Sequence, residues 1–116
     1  AIYTADASSS ASDVYKRQAL GYLAWAQAML GQTKAAVATI DRAVELDPGD
    51  YYSLYYQALV ELRAGNRDAA IDAVGKALDA GYPVAVLAAE PIVKELWDES
   101  RFVELIARRS IGGQKQ

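Results

Sequence analysis

The chain has no cysteine, no histidine, a single phenylalanine, a single methionine and three prolines among its 116 residues. Without cysteine no disulfide framework can form, so a stapled extracellular fold is excluded, although cytosol and periplasm are not separated by that absence. The same two absences remove thiol nucleophiles, the commonest general base and nearly every zinc site. Basic blocks are missing as well, and a net charge of −3 argues against a nucleic-acid surface. The longest apolar run, Val84–Ala89, is far too short for a membrane span. These exclusions point to a cytoplasmic protein, with the periplasm left open. What is present is an apolar fraction of 53%, enough to pack one small domain.

The beginning of the chain is uninformative. Residues 1–12 are small and polar, with three serines in succession, and read as a disordered tail. Asp13–Gln18 resembles the translated end of a transposon adapter used in sequencing libraries. Read that way, everything before Ala19 is a scar, and the natural chain continued upstream; the lack of an initiator methionine or signal pattern agrees. The plainer reading makes Ser12 an N-cap and starts the first helix at Asp13. No function is assigned to residues 1–18.

The organising feature is a self-match at an offset of 34 residues. Laying residues 17–50 over 51–84 gives seven identities: Leu20/Leu54, Tyr22/Tyr56, Ala24/Ala58, Gly31/Gly65, Ala35/Ala69, Ala36/Ala70 and Ala43/Ala77. Conservative swaps such as Val37/Ile71 and Ile40/Val74 accompany them. Such a period marks a stacked helix-turn-helix array. Periodicity and breakers predict helices over about 12–30, 33–46, 51–64 and 67–80. Gly31, Gly65 and Gly81 end three of them, and Thr33, Asp50 and Asn66 are the expected N-caps.

These residues resemble the tetratricopeptide repeat, whose pattern has a bulky residue, then Leu-Gly and an aromatic in helix A, followed by Ala-x₃-aromatic and a terminal proline around helix B. Leu20, Leu23-Ala24, Gln27, Ala36-x₃-Ile40 and Pro48 occupy those places in the first repeat. Leu54, Gln57-Ala58, Glu61 and Ala70-x₃-Val74 occupy them in the second, with Pro83 one place late. Gln27, Gln57 and Glu61 depart from the usual apolar residues. The resemblance implies an all-α, right-handed superhelical stack of antiparallel hairpins, with repeats over 17–50 and 51–82. No third copy follows. Residues 83–110 look like the helical cap that closes such arrays in multidomain bacterial proteins, with short helices from Pro83 and Pro91 and a last one over 99–109 after an Asp98 cap. Arg108-Arg109 would suit the negative end of that helix, and 111–116 reads as a fraying tail.

No catalytic constellation is present. Asp41/Glu45 and Asp68/Asp72 have helical spacing but read as solvated faces, not as acid–base pairs in a pocket. Asp47–Asp50 is a turn lacking calcium-loop spacing, and Gly112-Gly113 is no phosphate loop. No cofactor is expected. The resemblance instead implies a concave groove lined by helix-A side chains, and carrying those positions over gives Tyr22, Trp25 and Met29 with their mates Tyr56, Leu59 and Arg63. Tyr52 and Tyr55 belong beside them. Tyr, Trp and Arg dominate binding hot spots, and an extended peptide or partner helix could cross such a surface. The clamp that some members use for a terminal carboxylate is missing, since Gly21, Trp25, Tyr55 and Leu59 stand at its Lys and Asn places. The expectation is a non-enzymatic protein-binding module. The alternative is a C-terminal cap or spacer of a larger bacterial regulator such as a kinase or cyclase, its uncovered surface belonging to upstream repeats.

Overall fold

The computed structural model describes residues 11–114, which form the helices α1 (Ala11–Met29), α2 (Thr33–Leu46), α3 (Tyr51–Arg63), α4 (Arg67–Asp79), α5 (Val84–Ala88), α6 (Pro91–Leu96) and α7 (Ser100–Gln114). The described chain is all-helical, and the first four helices pack each on its neighbour in sequence. α1 lies against both α2 and α3, α2 against α3, and α3 against α4; α7 packs on α4 and α5. Residues 1–10, expected to be a tail, lie outside the described residues.

Three of the helix ends are built identically. Gly31, Gly65 and Gly81 take φ of +84°, +88° and +115°, a region that a Cβ disfavours. The left-handed turn lets the next N–H reach back into the helix: Gln32 to Gln27 O at 2.8 Å, Asn66 to Glu61 O at 2.9 Å and Tyr82 to Ala77 O at 3.0 Å. Each closure satisfies carbonyls that the helix end would otherwise leave bare.

Helix starts follow the sequence less closely. Asp50 caps α3 as expected, its Oδ1 accepting from the Tyr52 N–H at 3.2 Å. Thr33 is not a cap: it is already the first residue of α2, and Gln32 holds the cap position without a side-chain bond. Asn66 holds the cap position of α4, but its side chain donates to Glu61 Oε1 at 2.8 Å instead. Asp98 also fails as a cap, because α7 starts two residues later and the Glu99 carbonyl receives the N–H groups of Phe102 and Val103. α7 then runs on to Gln114, through most of the stretch expected to fray. Arg109 is accordingly not at its end; it pairs with Asp79 of α4.

Two apolar cores result. The first, between α1 and α2, is made of Ala24, Ala28, Ala36, Ile40 and Ala43, with Val60 of α3 inserted into it. Alanines on both helices allow close approach, so the single large Ile40 fills the seam. The second core joins α3 and α4 to the C-terminal helices through Leu54, Ile71, Val74, Leu87, Leu96 and Phe102. Each such side chain, fully removed from water, stabilises by about 1.5–3 kcal/mol. Polar departures from the repeat pattern are satisfied: Gln27 accepts from Thr39 Oγ1 at 2.7 Å, and Gln57 donates to Asp41 at 3.2 Å. Asp41 is therefore half-buried between hairpins rather than on an open face.

Arginines clasp the C-terminal segment to α4. Arg67 meets Glu99 at 2.6 Å and the Glu95 carbonyl at 2.8 Å, and Arg109 reaches both Asp79 oxygens at 3.0 Å. Arg101 binds Asp72, with Asp68 at 3.5 Å. The Asp68/Asp72 pair thus holds a neighbouring helix in register. Being exposed, each pair adds at most about 1 kcal/mol.

Candidate interaction surface

Helix periodicity brings four of the expected groove residues to the seam between α1 and α3. Tyr22 of α1 and Tyr56 of α3 meet edge to face, with ring centroids 6.0 Å apart. Further along the same seam the Arg63 guanidinium stands over the Trp25 ring, 6.0 Å from its centre. Gly21 leaves room for the first contact, since a Cβ there would lie 3.3 Å from the Tyr56 ring and press it back by a few tenths of an ångström.

At the N-terminal end of the seam Tyr22, Tyr56 and Tyr52 surround a recess of about 250 Å³. Its polar floor is Asp50, which accepts from Ser53 Oγ at 2.8 Å and from Arg17 Nε at 3.2 Å. Asp50 therefore both caps α3 and ties α1 to it. Burial, followed by the adjacent Tyr22 phenol, holds the Tyr56 hydroxyl above the usual tyrosine range. It stays a neutral donor at ordinary pH. The recess is smaller than the roughly 300–1,000 Å³ of small-molecule sites. Its size suits one or two side chains.

The other expected site residues divide. Met29 is exposed at the far end of α1, and Leu59 is half-buried, packed against the second core. Tyr55 is not a surface residue. At 9% exposure, against 56% for Tyr52, it sits in the second core. Its ring lies 5.1 Å from that of Tyr82, and its hydroxyl donates to Glu90 Oε1 at 3.0 Å. The reason is one of phase: Tyr55 sits about 100° round α3 from Tyr56, so it turns toward Tyr82 and Glu90 while Tyr56 faces α1, and Tyr52 lies between them at the exposed start of the helix. Glu90 also accepts from the Tyr82 hydroxyl at 3.2 Å. Burial and then this carboxylate push the Tyr55 phenol well above its ordinary range and Tyr82 up to about 12.

Sequence reasoning missed Glu90. Its signal was available, as the one carboxylate between Asp79 and Glu95, placed where two short helices meet. It also missed a second recess, about 410 Å³, formed on the C-terminal helices by Ala88, Trp97 and Ile106 with Lys94 at its edge. Among the described residues no group of three metal-ligating side chains could hold an ion, and no helix is long and apolar enough to cross a membrane. Compared with models of protein families, with curated proteins and with solved structures, the chain has no match.

Proposed function

We propose that this chain is a non-catalytic protein–protein interaction module of the tetratricopeptide kind, a superhelical stack of two hairpins closed by α5–α7. Its ligand is an extended peptide or a partner helix lying across the seam of α1 and α3. The observation that carries this reading is the meeting of Tyr22, Tyr52 and Tyr56 around a recess of side-chain size. Three phenols offer apolar faces with hydroxyl handles, and Trp25 with Arg63 extends the track. The experiment is peptide display against the full chain, run beside a Tyr22→Ala/Tyr52→Ala variant of unchanged helicity. A motif enriched by the native protein and lost on the variant is expected. Equal enrichment by both, or none by either, removes the groove.

A second reading, a terminal cap or spacer of a larger regulator, is favoured by one contrast. Charged clasps and α7 cover the outer side of α4, whereas among the described residues nothing covers the apolar outer side of α1.

A further inference from the structure

The 34-residue correspondence allows each face of α1 to be compared with the same face of α3. On α3, Ser53 and Val60 are buried, Val60 within the core of the first hairpin, and Gln57 donates to Asp41 of α2. Their counterparts on α1 are Ala19, Ala26 and Leu23, and all three are exposed. With Tyr22, Met29 and Leu30 they occupy roughly a third of the helix circumference at 3.6 residues per turn. Leu23 is 49% exposed and Leu30 74%. Among the described residues, none covers that side of α1. Nor does the stripe carry the charges of an ordinary solvated face. No charged residue occurs between Arg17 and Lys34.

We propose that this stripe is a docking face for the same stripe of a second copy, the two α1 helices crossing antiparallel about a two-fold axis at Ala26. The sequence is symmetric about that alanine. Large apolar residues stand three and four places before it (Leu23, Tyr22) and three and four places after it (Met29, Leu30). Antiparallel pairing sets Leu23 against Leu30 of the other copy and Tyr22 against Met29, a favourable thioether–aromatic contact. Ala26 meets its own equivalent, small enough for close approach. Head-to-tail stacking of copies is blocked, since the side of α4 corresponding to the side of α2 that receives α3 is covered by α7: a Cβ on Gly75, the mate of Asp41, would stand 3.1 Å from Leu105. Face-to-face pairing uses one patch twice and closes. This inference does not depend on the peptide reading.

The test is sedimentation of the full chain over a wide micromolar range, with Leu23→Glu and Leu30→Glu variants. Both positions are exposed, so helicity is expected to persist. A dimer is expected, weakened about tenfold or more by either carboxylate, which pairing would bury without a partner. The absence of cysteine gives a second readout. Ala26→Cys should oxidise to a disulfide-linked dimer, while Ala38→Cys, exposed on α2, should not. A chain monomeric throughout overturns the proposal and leaves the stripe to another partner, such as a further helical hairpin. A dimer indifferent to both carboxylates, or one cross-linked equally well through Ala38→Cys, overturns it in favour of another face.

Discussion

The hydroxyl of Tyr55, inside α3, donates to the carboxylate of Glu90 at the α5–α6 junction across 3.0 Å. With the parallel bond from Tyr82 it makes one side chain responsible for two buried phenols. Glu90→Ala leaves both donors without their acceptor and should cost about 2–3 kcal/mol, the usual loss for bonds to a charged group. Urea unfolding measures it. A change below a few tenths would mean that water serves the phenols equally well.

The same bonds set an alkaline limit. Tyr55 and Tyr82 ionise later in the folded chain than in the unfolded one, whose tyrosines titrate near pH 10. Above that pH the unfolded chain loses protons first, so it is increasingly favoured. The contribution is complete below about pH 10 and is lost as pH rises toward about 12 and beyond. Urea midpoints measured from pH 9 upward should fall, and Glu90→Gln should make the fall shallower. A flat profile would count against the buried-phenol description.

Tyr52 and Tyr55 should behave oppositely on truncation. Tyr55→Ala opens the second core and should cost about 3–4 kcal/mol. Tyr52→Ala removes a half-exposed ring that touches only Tyr51 and Tyr82 among the aromatic rings, and should cost no more than about 1–1.5 kcal/mol while abolishing any peptide capture. Thermal melts together with a binding assay decide the matter; equal stability losses would put Tyr52 in the core.

Gly31 and Gly65 are repeat mates with nothing within 4 Å of an added Cβ. Alanine at either site meets only the backbone penalty of positive φ, about 1–2 kcal/mol. Near-equal losses in chemical denaturation are expected. A loss at one site alone would show that the two hairpin closures are not equivalent.

Phe102, with no exposed surface, is the main side chain by which α7 enters the second core. Phe102→Ala should cost about 3–5 kcal/mol, whereas Arg101→Ala, removing an exposed clasp, should cost no more than about 1 kcal/mol and less in high salt. Ending the chain after Tyr82 should abolish cooperative unfolding, since Leu87, Leu96 and Phe102 then leave the second core open. A sharp melt of that shortened chain would refute this.

The sequence by itself determined the helices and where most of them stop. Left-handed glycines, Pro91 and the 3.6-residue periodicity act over a few residues, and such local chemistry is legible in order along a chain. It also placed Ala24, Ala36 and Ile40 in one seam, because the offset of 34 fixes which faces correspond. Asn66 was rightly placed at the start of α4, but its side chain does not cap; Thr33 and Asp98 were misplaced, since α2 already includes Thr33 and α7 begins two residues after Asp98. Asn66 donates to Glu61 and Asp98 lies toward Arg67, choices made by geometry outside the local window. Only the tertiary structure decided which side of α3 carries the surface, separating Tyr52 and Tyr56 from Tyr55, since a run rich in tyrosine shows no apolar–polar contrast to read. It alone revealed Glu90 as their common acceptor. It alone showed Leu23 and Leu30 facing outward, because whether an apolar stripe is covered depends on what packs there, and among the described residues nothing does.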